Sequence, residues 1–143
     1  MRRRAAVLLA LTQTALAPVT VVGDAIPLPL DGRTGDAERG RVIATDTRKG
    51  LCPLCHTGLG GGAPAGDLGP DLSDVGARLT EGQLRLRLVD GRILNPATLM
   101  PSYYRVDGAQ VAAAWRGRPV LEVGEIEDVI AYLVTLKGGR GTP

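Results

Sequence analysis

The chain has 143 residues, with 20 glycines, 10 prolines, three tyrosines, one tryptophan and no phenylalanine. A chain of this length forms one domain, and so few aromatic side chains leave little bulk with which to fill a core. The formal net charge is only +2, which gives no reason to expect nucleic-acid binding or general adhesion to membranes. The composition therefore favours a single domain whose core is completed by something other than aromatic residues.

The amino terminus has the features of a secretory signal peptide. Three arginines at positions 2–4 precede a short apolar run over residues 5–11, which is the order of a charged and an apolar region in such peptides. We predict a signal peptide over residues 1–17, with cleavage near Ala17 and an alternative site after Ala25. The run is shorter than the roughly 20 residues of a membrane span, but an uncleaved anchor remains the alternative. Cleavage would leave 14 of the 17 basic residues against 15 acidic ones.

The pentapeptide Cys52-Pro53-Leu54-Cys55-His56 contains both cysteines and the single histidine of the chain. The C-x-x-C-H spacing is the attachment signature of c-type haem. In that chemistry the two thiols form thioethers with the haem vinyl groups, and the adjacent histidine becomes a ligand of the iron. The motif therefore predicts one covalent haem c, attached at Cys52 and Cys55, with His56 as an axial iron ligand.

Two alternatives for the same residues need partners that the chain does not supply. A structural zinc site requires four ligands, usually Cys or His, and the chain has three such residues. A thioredoxin-like redox pair is expected within a βαβ pattern, which does not surround the motif. A disulfide is common after export, but haem attachment would consume both thiols.

Met100 is the one methionine that would remain after removal of the signal peptide. It precedes Pro101 in a long irregular stretch, where loop backbone can present a side chain. A thioether opposite imidazole raises the reduction potential and closes the iron to small ligands. We therefore predict Met100 as the second axial ligand and electron transfer as the function. The alternative is five-coordinate iron, with Met100 filling a gap in the core.

Three segments have helix signals. Asp36 is suited to cap a helix that reaches Ala44, and a capping box predicts a second helix over residues 81–89. Apolar residues at helical spacing, with acids in the first turn, predict a terminal helix over residues 125–136. Gly40, in the middle of the first helix, costs about 1 kcal/mol relative to alanine. We therefore expect the terminal helix to cross at Gly40, with Tyr132 or an apolar neighbour at the crossing.

These segments predict an all-α domain wrapped around one haem. We expect an extended lead-in over residues 18–35, the cytochrome domain over residues 36–137 and a tail over residues 138–143. Arginines are frequent in the second half of this domain, where they indicate either a solvated surface or a site for an acidic partner. They are Arg78, Arg85, Arg87, Arg92, Arg105, Arg116 and Arg118.

The order of helix, haem motif, Gly-Pro segment, methionine loop and terminal helix is similar to class I cytochromes c. In that family a Gly-Pro-x-Leu segment supplies the carbonyl that accepts a hydrogen bond from the haem-ligating histidine. Residues 69–72 have this pattern, so the resemblance implies that the carbonyl of Pro70 orients His56. An ordinary turn proline is the alternative.

Three segments together resemble SoxX, the monohaem subunit of the SoxAX cytochrome complex of sulfur-oxidising bacteria. They are GLCPLCHTG at 50–58, EGQLRLRLVD at 81–90 and MPSYYRV at 100–106. The last is the most specific, because a generic class I cytochrome predicts only methionine and proline there. The glycine-rich residues 60–66 and Pro53 depart from the typical pattern.

The resemblance to SoxX implies a periplasmic heterodimer with a SoxA-like subunit that carries the active-site haem. Such a complex, an L-cysteine S-thiosulfotransferase, joins thiosulfate oxidatively to a cysteine of a SoxYZ carrier. This chain would accept the electrons and pass them to a soluble cytochrome c, with no catalytic acid, base or nucleophile of its own. Tyr103, Tyr104 and Arg105 are candidates for the haem edge or the SoxA contact, with packing or plain surface as the alternative. A free electron shuttle, or the haem subunit of another periplasmic dehydrogenase or oxidase, remains the alternative.

Overall fold

The computed structural model describes residues 19–62, 64–106 and 117–138. The predicted signal peptide and all but the first residue of the predicted tail lie outside these ranges. The described residues contain one isolated β-bridge and no β-strand, so the predicted all-α class is confirmed for them. None of their helices is long and apolar enough to cross a membrane. The helices are α1 (Ala37–Thr45), α2 (Val75–Arg78), α3 (Glu81–Asp90) and α4 (Val123–Leu133).

Helices α1 and α3 begin where local capping signals place them. The side chain of Asp36 accepts a hydrogen bond from the amide of Arg39 at 2.8 Å. Thr80 and Gln83 form the predicted capping box at the start of α3. Each cap satisfies an amide that the first helical turn leaves without a backbone partner, so these two helix starts follow directly from the sequence.

Helix α4 differs from its prediction at both ends. It begins two residues earlier, where the carboxylate of Glu125 accepts a hydrogen bond from the amide of Glu122 at 2.9 Å. It ends at Leu133, three residues before the predicted end. There the hydroxyl and the amide of Thr135 both donate to the carbonyl of Tyr132, at 2.6 and 2.9 Å. This local bonding competes with continuation of the helix.

The crossing of α1 and α4 depends on the missing side chain of Gly40. A Cβ atom there would overlap the backbone oxygen of Asp128 and would lie 3.0 Å from Cβ of Tyr132. The prediction that another helix approaches at Gly40, with Tyr132 at the crossing, is confirmed. The core lies beside this crossing, and its largest fully buried apolar side chains are Leu86, Leu121, Ile126, Val129 and Ile130.

A carboxylate reinforces the same crossing. Asp128 accepts hydrogen bonds from Nε and Nη2 of Arg39, at 2.8 and 2.9 Å, and from the amide of Asp36 at 2.7 Å. The hydrogen bond from Arg39 holds the pKa of Asp128 below its ordinary value, outweighing the opposite effect of burial. The Arg39–Asp128 ion pair and the close backbone contact therefore hold the same two helices, α1 and α4, together.

A buried ion pair fixes the amino-terminal lead-in to α3 and α4. Arg85, 1% exposed, donates from Nε and Nη2 to the two carboxylate oxygens of Glu127, each at 2.8 Å. Its Nη1 donates to the carbonyl of Ile26 at 2.8 Å, and the amide of Leu30 donates to Glu127 at 2.9 Å. For Arg85, the prediction of a surface or partner-facing arginine is wrong, because its charge is satisfied inside the domain.

Gly40→Ala should destabilise the haem-loaded protein by about 1–3 kcal/mol or more, because the added methyl group must push α1 away from the backbone of α4. Gly124→Ala is a matched control within α4. The atom nearest to its added Cβ is Nη2 of Arg33, the end of a flexible side chain, so helix propensity should make it neutral or stabilising by up to about 1 kcal/mol. Guanidinium denaturation would measure both, and equal effects would contradict the close-contact explanation.

Asp128→Asn should lower the free energy of unfolding and make that free energy less dependent on pH in the acid range. Because the pKa of Asp128 is lower in the folded protein than in the unfolded chain, its ionised carboxylate stabilises the fold. This stabilisation is fully present above the unfolded pKa of about 3.9, and it is lost as the pH falls through the folded pKa. We expect a loss of about 1–2 kcal/mol near neutral pH, since Arg39 is largely exposed. Denaturation between pH 3 and 7 would test this. A variant with the wild-type slope below pH 4 would contradict it.

Candidate haem site

The C-x-x-C-H motif forms one compact turn directly after α1. Cys52–Leu54 is a single 3₁₀ turn, and the amides of Cys55 and His56 both donate to the carbonyl of Cys52, at 3.1 and 2.9 Å. Cys52 is buried, whereas Cys55 and His56 are partly exposed. Both cysteines are free thiols, and burial raises the pKa of Cys52. The turn thus brings two thiols and an imidazole together, as haem attachment requires.

The start of this attachment turn is strained and tightly packed. Leu51 has a φ of +62°, in the left-handed region that residues other than glycine rarely adopt. Gly50, just before it, lies so close to α1 that a Cβ would overlap the carbonyl oxygen of Ile43. The amides of Gly50 and Leu51 both donate to the carbonyl of Asp46, at 3.1 and 3.0 Å. These contacts fix the direction in which the motif leaves α1.

His56 is held on one side by backbone alone. Its Nδ1 lies 2.8 Å from the carbonyl oxygen of Pro70, and since a carbonyl can only accept, Nδ1 carries the proton. This tautomer leaves the lone pair of Nε2 available to a metal. A Cβ on Gly69 would lie 2.5 Å from Nδ1 and closer still to Cε1. The glycine of this segment therefore makes room for the ring, a role that the Gly-Pro pattern alone did not indicate.

The segment that contains Pro70 is bonded to the chain on either side of His56. The amide of Gly69 donates to the carbonyl of Cys55 at 2.7 Å, and the amide of Leu72 donates to that of Thr57 at 2.9 Å. Asp71 accepts the hydroxyl hydrogen bond of Thr57 at 2.7 Å. Pro70 is therefore carried by a segment that is attached on both sides of the histidine.

The methionine loop is anchored to the carboxyl end of α3. Met100 is partly buried against the core, and its amide donates to Oγ1 of Thr98 at 3.2 Å. The hydroxyl of Ser102 donates to the carbonyl of Val89. The amide of Tyr103 donates to the carbonyl of Leu88 at 2.9 Å. These contacts explain why the Met-Pro-Ser-Tyr run has a defined position although it forms no helix.

Asp90 organises the charges around this loop. Its buried carboxylate accepts hydrogen bonds from Nε of Arg92 at 3.1 Å and Nη1 of Arg105 at 2.8 Å. Burial alone would raise the pKa of Asp90, but the bonds from the two arginines outweigh it and hold the pKa below its ordinary value. Both arginines thus have a partner within the chain, which no local pattern in the sequence indicated.

Tyr103 connects the methionine loop to the attachment turn. Its ring is 2% exposed, its hydroxyl donates to the carbonyl of Gly50 at 2.6 Å, and its oxygen lies 3.9 Å from Sγ of Cys52. Tyr104 is also buried. Both tyrosines therefore lie in the interior of this chain, and Tyr103 directly joins the two halves of the candidate site.

The side chains around the motif suit a large apolar cofactor. Several aliphatic side chains are more than one third exposed, and they lie close in sequence to the attachment turn, Pro70 or Met100. A haem or a partner would cover this apolar surface. The donors available, an imidazole with a free Nε2 and a thioether, are those that bind haem iron. Among the residues that the structure describes, no group of three or more His, Cys, Asp or Glu side chains could hold a metal ion. The exposed residues are Leu54, Leu68, Ile93, Leu94 and Leu99.

An all-α domain built around a C-x-x-C-H turn is a c-type cytochrome. Among solved structures, the chain is similar to SoxXA from P. pantotrophus, with a TM-score of 0.74 and 35% identity, covering 83% of this chain and 94% of that one. The chain belongs to the SoxX family. The c-type cytochrome SorU from Sinorhizobium meliloti matches with a TM-score of 0.46 and 24% identity, over 71% of this chain and 91% of that one. Neither a family model nor a curated protein sequence matches the chain.

Gly69→Ala should disturb the candidate site, because the new methyl group would displace the imidazole of His56. We expect a loss of about 1–3 kcal/mol in stability and a lower ratio of bound haem to protein in the exported product. Gly91→Ala is the matched control, since the nearest atom to its added Cβ, on Thr98, is 3.8 Å away. Haem absorbance per protein would measure the ratio. Equal ratios in the two variants would contradict the packing argument.

Proposed function

We propose that this chain is the monohaem electron-transfer subunit of a SoxAX-type thiosulfate-oxidising complex. The observation that carries the proposal is the 35% identity over 94% of the matched SoxXA chain. Its partner would be a SoxA-like cytochrome subunit, and the substrate of the complex would be thiosulfate together with a carrier-protein cysteine of the SoxYZ type.

The proposed reaction forms one S–S bond between the cysteine sulfur and thiosulfate, and it releases the thiol proton and two electrons. The haem, when bound, supplies a one-electron Fe(III)/Fe(II) couple. Two successive transfers are therefore needed, each ending on a soluble cytochrome c. The residues of this chain contribute the position and the environment of the iron, and we assign no acid, base or nucleophile among them.

The proposed roles at the site follow from its geometry. Cys52 and Cys55 would form the two thioethers, and His56 and Met100 would bind the iron. The 2.8 Å bond from Nδ1 of His56 to Pro70 supports this assignment, because it leaves Nε2 free for the iron. Tyr103 and Tyr104 would line the cofactor pocket.

We also propose that the protein acts in the periplasm. Residues 1–17 would direct export and be removed, residues 18–35 would remain as the lead-in to the cytochrome domain of residues 36–137, and residues 138–143 would form its tail. Attachment of haem after export would then consume both thiols before they could form a disulfide.

An affinity pull-down of the tagged, haem-loaded protein from thiosulfate-grown source cells would test the proposal. We expect a second, larger haem protein to accompany it, and thiosulfate with the sulfur carrier to reduce the complex but not the isolated chain. A lone protein reduced equally well by unrelated donors would contradict the SoxAX assignment and favour a free electron shuttle.

Met100→Ala should open one axial position of the iron. We expect the long-wavelength charge-transfer absorption of a ferric iron–thioether bond to disappear, imidazole and carbon monoxide to bind readily, and the reduction potential to fall. Leu28→Ala is the control, because this side chain is 75% exposed and belongs to the amino-terminal lead-in, outside the candidate site. Unchanged spectra in Met100→Ala would contradict the ligand assignment.

A further inference from the structure

The backbone of Tyr103 is fixed independently of its side chain. Its amide donates to Leu88 at the end of α3, and its carbonyl accepts from the amides of Val120 and Leu121 just before α4, at 3.0 and 3.1 Å. The side chain alone reaches the other half of the site, through the hydroxyl bond to Gly50. Removing that oxygen would therefore test one link while leaving the three backbone bonds in place.

The acceptor of this bond lies at the point where the attachment turn begins. Gly50 precedes the strained Leu51 and is two residues from Cys52. Met100 is three residues from Tyr103, so its backbone stays within roughly 10 Å of the tyrosine backbone. The hydroxyl thus joins the segment that carries one predicted iron ligand to the turn that carries the other.

Covalent attachment of haem would increase the dependence on Tyr103. In the free-thiol chain the carbonyl of Gly50 has two side-chain donors, Sγ of Cys52 at 3.2 Å and the hydroxyl of Tyr103 at 2.6 Å. Thioether formation removes the sulfur-bound hydrogen, so that Sγ can no longer donate. The tyrosine hydroxyl then has to satisfy this buried carbonyl, and an unsatisfied buried acceptor is costly.

We propose that Tyr103 is a positioning residue that locks the Met100 loop onto the attachment turn and so keeps the Met100 sulfur on the iron. This inference rests on the proposed axial role of Met100. The proposal requires that the Tyr103 side chain leaves Gly50 when Met100 leaves the iron, after which water satisfies both groups. The bond therefore stabilises the closed, methionine-ligated state relative to the open state.

The test measures the apparent affinity of imidazole for the ferric, haem-loaded protein. Imidazole binds only when Met100 has left the iron, so its apparent affinity is proportional to the open fraction. Tyr103→Phe keeps the ring and removes the hydroxyl. Loss of one buried hydrogen bond should increase the open fraction, and hence the apparent affinity, about tenfold, with a weaker iron–thioether charge-transfer absorption.

Tyr132→Phe is the matched control, because its buried hydroxyl also donates to a backbone carbonyl, that of Leu59. It belongs to the crossing of α1 and α4, so it should lower stability without changing the affinity for imidazole. An unchanged affinity in Tyr103→Phe, or an equal increase in both variants, would overturn the proposal.

Two further measurements separate the possible failures. Wild-type protein that binds imidazole as readily as Met100→Ala would contradict the proposed methionine ligand itself, before Tyr103 is considered.

If Tyr103→Phe does not load haem, proton NMR of the ferrous wild type can follow the two buried tyrosine hydroxyls. Carbon monoxide should bring the Tyr103 hydroxyl proton into rapid exchange with water and leave that of Tyr132 slow. A Tyr103 signal that persists would overturn the proposal.

Discussion

The close contact of α1 with α4 at Gly40 is the constraint on which the rest of the structure depends. A side chain at this position would overlap the backbone of α4, so the absence of a Cβ sets the distance between the two helices. The contact also positions the carboxyl end of α1 relative to α4. The attachment turn begins within a few residues of that end, with Gly50 packed on the carbonyl of Ile43. The position of the cysteines and the histidine therefore follows from a helix contact that lies outside the site.

Paired charges add connections that an aromatic-poor core does not provide. The Arg85–Glu127 pair joins the lead-in to α3 and α4, and Asp90 joins the end of α3 to the loop that carries Met100. Buried charges are costly unless they are paired and hydrogen-bonded, and loss of one partner from such a pair typically costs about 3–5 kcal/mol. The pairs thus favour one arrangement of segments that have few large apolar contacts.

The two halves of the site have different origins in the fold. The attachment turn follows α1 after a short connection, whereas the methionine loop depends on the carboxyl end of α3, and the Tyr103 hydroxyl connects them. An electron-transfer protein benefits from such a connection, because its ligands should move little between oxidation states. With the proposed function, the residues of this chain would act by fixing the surroundings of the iron.

Local signals in the sequence determined the haem-attachment motif, the starts of α1 and α3 and the all-α class, because each depends on residues a few positions apart. Gly40 indicated a helix contact, since a glycine in mid-helix needs a reason. The sequence did not determine the burial of Arg85, the left-handed Leu51, the fit of Gly69 against His56 or the Tyr103–Gly50 bond. Each of these joins groups that are distant in sequence or depends on packing around the residue. Only the tertiary structure, which brings α1, α3 and α4 together, decides such contacts.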